Sequence, residues 1–129
     1  MLTAVAPSTP AVAGAAAEDK LYSLLSNARG SRGLSPLTLT GDLSGVARRH
    51  SERMAQENLL FHSPCLFCKI SVGNALAENV GFGGTVRRIH RMMMGSAGHR
   101  ANILGAFNQV GVGVVKRGDR FWVTEIFAA

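Results

Sequence analysis

The apolar positions of this chain change period partway along it. From Leu21 they recur at helical spacing, at Leu21, Leu24, Leu25 and Ala28, behind the acidic pair Glu18 and Asp19. Acidic side chains suit the positive end of a helix dipole, and Gly30 and Gly33 close the segment, so a first helix is expected here. The stretch GLSPLTLTGDL then alternates and turns. A second helical stripe follows, carrying Leu43, Val46, Ala47, His50 and Met54, with Asp42 as its expected N-cap and its end expected near Leu60. His50 falls inside that stripe and reads as a core histidine satisfied by a neighbouring backbone or hydroxyl group. A third helix is expected from Thr85 to Gly95, with Val86, Ile89 and Met93 inward and Arg87, Arg88 and Arg91 outward. The run Met92, Met93, Met94 reads as irregular core filling at a helix end.

Toward the C-terminus the period becomes two. QVGVGVVK and RFWVTEIF both read as strands, and Arg117, Gly118 and Asp119 between them have the composition of a hairpin turn. The tripeptide RGD is read as turn chemistry rather than as an adhesion motif. Helices flanking a short antiparallel sheet give an α+β domain. The long connection from Phe61 to Gly84 is expected to hold a short strand at Ala77 to Val80 and a turn or strand within Leu66 to Val72.

Composition narrows the class without changing the fold. With 129 residues, 47% hydrophobic and 17% charged, the chain reads as one globular domain. No apolar run approaches the ~18 residues of a membrane span. The first 17 residues, MLTAVAPSTPAVAGAAA, have neither charge nor periodicity and are expected to be a disordered tail or linker, leaving residues 18–129 as the domain. They lack the basic segment and continuous apolar core of an intact signal peptide. The net charge of +6 favours anionic surfaces, such as acidic envelope polymer or lipid. The basic residues are scattered and not interleaved with aromatics, so nucleic acid is not an expected partner. The domain is expected to be a monomer.

The candidate chemistry lies in the long connection and after the third helix. Cys65 and Cys68 form a single CxxC, which cannot make a four-sulfur zinc site and follows a proline within a loop; a small-loop disulfide in an exported protein and two free thiols remain the readings. His62 follows Leu59, Leu60 and Phe61, Glu78 sits between Ala77 and Asn79, and His99 stands in AGHRANI. Each borders an apolar stretch that must pack, so the three are expected to converge in one surface cleft. Asn102 is expected to be buried and structural, with Arg100 partly exposed.

In order and spacing, GLSPL, ARRHSERMA, FHS, AENVGFG, GSAGHRANIL, QVGVGV and FWVTEIF resemble the bacterial branch of the CAP superfamily, the cysteine-rich secretory, antigen five and pathogenesis-related proteins. The resemblance spans residues 18–129. It implies an α-β-α sandwich with a small central antiparallel sheet, secretion or a place in the cell envelope, and a cleft with two histidines and two acids that can bind a divalent metal. Carried over, these are His62, Glu78 in AEN, and His99. The second acid falls at Ser96 and its tryptophan at Met93, so a triad replaces the tetrad. Glu125, where glutamine is common in the family, is a conceivable substitute acid, although strand alternation leaves its side open between the faces of Trp122, Thr124 and Ile126 and of Val123 and Phe127.

Two imidazoles and one carboxylate can form a zinc shell with an open position for water. A hydrogen-bonded His-Glu-His cluster that only fixes loops is the competing reading. The implied function is an extracellular binding module for a small lipid, sterol, peptide or glycan, the resemblance extending to eukaryotic relatives that bind sterols and fatty acids. A metal-dependent hydrolase of the protease type using the same cleft and a cell-envelope interaction domain are the alternatives.

Overall fold

A computed structural model describes residues 12–70 and 74–129. In chain order the elements are β1 (Val12–Ala13), α1 (Ala15–Gly30), β2 (Thr38–Leu39), α2 (Gly41–Glu57), α3 (Leu66–Lys69), β3 (Leu76–Gly83), α4 (Val86–Met94), α5 (Ala97–Ile103), β4 (Gln109–Arg117) and β5 (Arg120–Ala128). The first helix thus begins at Ala15, inside the stretch expected to be tail, and β1 pairs with Val115 and Lys116 of β4. Three consecutive alanines extend the helix by propensity without adding an apolar stripe, which hides them from a periodicity argument. The rest of the expected tail, residues 1–11, lies outside the described residues.

The cap of α2 differs from the expected one. Thr40, in extended backbone, accepts from the Leu43 N–H at 3.3 Å, and Asp42 falls in the first turn, where its charge still suits the dipole. The helix ends at Glu57, short of Leu60, because Asn58 takes a left-handed conformation at φ 51°, one that asparagine tolerates better than most side chains. The third expected helix is α4, capped by the Thr85 hydroxyl on the Arg88 N–H, with Val86, Ile89 and Met93 buried. Cys65 and Cys68 form a disulfide around the single turn of α3.

The sheet runs β1-β4-β5-β3, with β2 also on β4. β4, β5 and β3 are antiparallel, whereas the two residues of β2 pair parallel to β4, so the sheet is mixed rather than wholly antiparallel. One face packs on α2, burying Val80, Val115, Trp122 and Ile126 against Leu43, Ala47, Met54 and Ala55. The other buries Val110, Val112, Val114, Val123 and Phe127 against α1, α4 and α5 through Leu21, Leu25, Ile89, Met93 and Ile103. This is the α-β-α sandwich. Its closest approach is α2 on β4, where a Cβ at Gly111 or Gly113 would fall well inside 3.0 Å of the helix backbone.

The two edges of the sheet are treated differently. Beyond β4, the short strands β1 and β2 pair part of its length, Ser44 Oγ accepts from the Val112 N–H, and the buried Glu18 accepts from the Val114 N–H while holding Arg48 by two bonds of 2.8 and 2.7 Å. Those bonds raise the Arg48 pKa further above its ordinary value. At the far edge, β3 has no partner strand beyond β5 among the described residues.

Candidate functional site

The site residues gather around the β3 edge. His50 is buried as expected, its Nε2 2.6 Å from the Phe61 carbonyl and its ring edge-on to Phe61 at 5.0 Å. That anchor fixes the chain leaving α2 and turns the next residue, His62, outward. Its Nδ1 lies 3.0 Å from Glu78 Oε1. Ser63 donates its N–H to the same oxygen at 2.8 Å and its hydroxyl to Oε2. Glu78 is therefore nearly enclosed, while the His62 side chain stays 68% exposed.

His99 is not part of that cluster. Successive residues of a strand face opposite sides, so Glu78 stands on the α2 face of β3 and Asn79 on the face shared with α5. Asn79 Nδ2 donates to the His99 carbonyl at 3.1 Å, and the His99 ring sits 2.8 Å from Ser96 Oγ through Nδ1. The structure thus brings His62 to Glu78 and Ser96 to His99, as two separate hydrogen-bonded pairs. Among the described residues no three His, Cys, Asp or Glu side chains are grouped to hold one ion. The Glu78 carboxylate is already engaged by three donors, so these residues do not fit a three-ligand zinc shell as they stand.

Glu125 is not a cleft ligand. It shares the face of Val123 and Phe127, is fully buried, and accepts from Asn79 Nδ2 at 3.0 Å through Oε1, while Oε2 has no hydrogen-bond partner among the described residues. Burial pushes its pKa up to about 7, against the opposing pull of the Asn79 hydrogen bond.

Asn79 is the functional-site residue that sequence reasoning missed. Besides His99 and Glu125 it engages Asn102, whose Nδ2 donates to Asn79 Oδ1 at 2.9 Å. One amide therefore ties β3, β5 and α5 together and sets where His99 stands. An asparagine in the middle of an apolar strand was the available signal, since a buried amide must find partners. Asn102 is half-buried rather than buried, and Arg100 is exposed, donating to the Met94 carbonyl. Asn102→Ala should lower stability by about 1 kcal/mol, seen as a lower urea midpoint at unchanged slope.

Beside these pairs, Leu60, Val80, Phe82, Ile89, Met92 and His99 line a largely apolar cleft of about 390 Å³ that wraps the β3 edge. Phe82 stacks on Trp122 at 5.1 Å between centroids, and the Arg120 guanidinium lies 4.6 Å over Phe82. A larger concavity of about 490 Å³ lies at the β4–β5 turn between Asn58, Arg117 and Arg120. There Arg117 is already committed to the Ala55 carbonyl, which holds it to the end of α2 rather than free for a ligand, or for adhesion through RGD.

The profile of the cysteine-rich secretory protein family (CAP) matches residues 22–127. The chain is 35% identical over 113 residues to the uncharacterized protein YkwD of Bacillus subtilis, covering 79% of this chain and 44% of YkwD. In fold it is similar to an outer surface protein of Borrelia burgdorferi, with a TM-score of 0.83 at 15% identity over 92% of this chain and 96% of that one. It is also similar to an extracellular protein containing a SCP domain from Bacillus anthracis, with a TM-score of 0.75 at 24% identity over 88% of this chain and 40% of that one. The chain therefore spans less than half the length of YkwD and of the Bacillus anthracis protein.

Proposed function

Since this chain belongs to the cysteine-rich secretory protein (CAP) family, we propose that it is an extracellular binding module whose ligand enters the apolar cleft at the β3 edge. The observation that carries this reading is the state of the cleft walls. Met92 is 52% exposed, Leu60 42% and Phe82 36%, three large apolar side chains held in water around one concavity. Covering them is favourable at roughly 25 cal/mol per Å² of apolar surface, and a cleft of this size with a polar end at Ser96 and His99 has the form of a small-ligand site. A place outside the cytoplasm is supported by the Cys65–Cys68 disulfide, a bond that persists in oxidising compartments, and by relatives described as extracellular or outer-surface proteins.

The hydrolase alternative needs an activated water. Glu78, its candidate base or metal ligand, is instead occupied by His62 and by both donors of Ser63. Retention on an anionic envelope surface has one feature in its favour, the outward face of α4, where Arg87, Arg88 and Arg91 are exposed without ion-pair partners among the described residues.

Trp122 is the one tryptophan of the chain; it packs on Phe82 of the cleft and also lines the concavity at the β4–β5 turn, so its response reads the cleft only where a substitution in the cleft removes it. Titration with the neutral apolar dye N-phenylnaphthylamine should quench or shift its fluorescence saturably. Met92→Glu, at an exposed position, should remove the response while leaving the melting curve unchanged. Absence of saturable binding, or binding indifferent to Met92→Glu, would place the ligand site elsewhere.

A further inference from the structure

The floor of the cleft is backbone, and the phase of the sheet determines which groups it offers. The β4–β5 turn has two residues, Gly118 and Asp119, flanked by the pair Arg117 and Arg120, and in a two-residue hairpin the flanking residues exchange both hydrogen bonds. Alternation from that pair directs the backbone groups of Phe121, Val123, Glu125 and Phe127 toward β3, where they meet Gly83, Gly81, Asn79 and Ala77. The other residues of β3, namely Leu76, Glu78, Val80 and Phe82, then direct N–H and C=O away from the sheet. The opposite edge has the same phase: the Val112 and Val114 N–H groups point outward there and are taken by Ser44 and Glu18.

Among the described residues, no hydrogen bond reaches the outward N–H or C=O of Leu76, Glu78, Val80 or Phe82. Val80 and Phe82 are also cleft residues, Phe82 exposed and Val80 only 5% exposed at the cleft floor, so the backbone groups that no hydrogen bond takes up lie where Leu60 walls one side and Met92 and His99 the other. An open strand edge is a template for another strand.

From this we infer that the ligand of the cleft is an extended peptide segment of a partner protein, which adds to β3 as a further strand alongside Val80 and Phe82. The inference rests on the cleft being the ligand site and names what fills it. Strand addition supplies main-chain hydrogen bonds for affinity and takes alternate side chains into pockets for specificity. Here one apolar side chain of the peptide enters the cleft. An acyl chain would cover the same walls but would leave the Val80 and Phe82 N–H and C=O without partners, which favours the peptide. Charge selects its ends: Arg120 lies over Phe82 and donates only a long 3.4 Å bond to the neutral Asn58 Oδ1, with no carboxylate partner among the described residues, so an acidic residue of the peptide belongs beside it.

The test is selection of short random peptides displayed on phage against the intact protein. Enriched sequences should carry an apolar residue with an acidic neighbour. Their synthetic forms should slow hydrogen exchange at the Val80 and Phe82 amides, while the amides of Ala77, Asn79 and Gly81, already paired with β5, change little. Methylating the peptide nitrogens that face β3 should weaken binding about tenfold for each hydrogen bond lost. Met92→Glu should abolish binding of the unmodified peptide. Selected peptides that bind equally well when methylated, or that leave Val80 and Phe82 exchange unchanged, would overturn strand addition. Failure to enrich any peptide while the apolar dye still titrates Trp122 would overturn the peptide and leave the cleft as the site; failure of both would remove the cleft reading as well. Concentration-dependent protection of Val80 and Phe82 in the free protein would assign the edge to a second copy of the chain instead.

Discussion

Gly113→Ala should leave the domain without a stable folded state. The added Cβ would lie inside the backbone of Ala47 and Arg48 on α2, closer than real Cβ atoms come to anything, and backbone cannot swing aside as a side-chain tip can. Relief requires α2 to lift off β4, which opens the packing of Leu43, Ala47 and Met54 on that face. The cost exceeds about 3 kcal/mol, a large part of the stability of a domain this size. Gly45→Ala is the control, because its Cβ would meet only the Arg49 guanidinium at 3.5 Å and alanine suits a helix interior better by about 0.5–1 kcal/mol. Circular dichroism melts should therefore move in opposite directions for the two variants. A Gly113→Ala protein that melts like the parent would show that α2 does not lie on β4 as described.

Glu125→Gln should make the protein more stable at pH 8 by about 2–3 kcal/mol and remove most of its loss of stability between acid and neutral pH. The folded-state pKa of Glu125 is raised from 4.5 to about 7, so the neutral acid favours the fold fully below about pH 4.5. That contribution falls as pH climbs through about 7 and is then fully lost, a change of about 3 kcal/mol for a carboxyl with no exposed surface. Glutamine cannot ionise and retains the acceptor that Asn79 uses. The groups around it are Asn79 itself and, through that amide, Asn102 and the His99 carbonyl, so loosening at Glu125 reaches α5. Urea midpoints measured at several pH values for parent and variant check this. Parallel curves would mean that Glu125 is not buried as an acid.

What the sequence disclosed tracks how much of each element faces a single core. The stripes of α1, α2 and α4 each face one packed surface, so Leu21, Met54 and Ile89 could be placed before any coordinates, while β4 and β5, buried on both faces, were legible as strands from their β-branched and aromatic runs. β3 was expected over four residues and has eight. AENVGFG lies between two helical layers, where an enclosed carboxylate, a buried amide and two glycines replace apolar alternation. α5 leaves no apolar stripe in the sequence because its seven residues bury only Ile103. The pairing within the candidate triad was not legible for a geometric reason: Glu78 and Asn79 are adjacent in sequence, yet the strand carries the Glu78 carboxylate to His62 and the Asn79 amide to the His99 carbonyl. Nothing in residue type indicates which neighbour goes which way until the register of β3 on β5 is known. The side of Glu125, left open by alternation alone, is settled by the same register.

The position of β4 and β5 in the sequence has a consequence for how the domain comes into being. These two strands form the middle of the sheet, and every helix among the described residues precedes them in the chain. While the polypeptide is being made, or threaded end-first through a membrane pore, α2 has no platform for Leu43 and Ala47, and β1 and β2 have no strand to join, until residues 109–128 emerge. Non-local pairing of this kind carries its loop-closure cost before its contacts form. The preceding segments therefore remain a pliable chain until then, and the structure closes in one late step once the hairpin arrives.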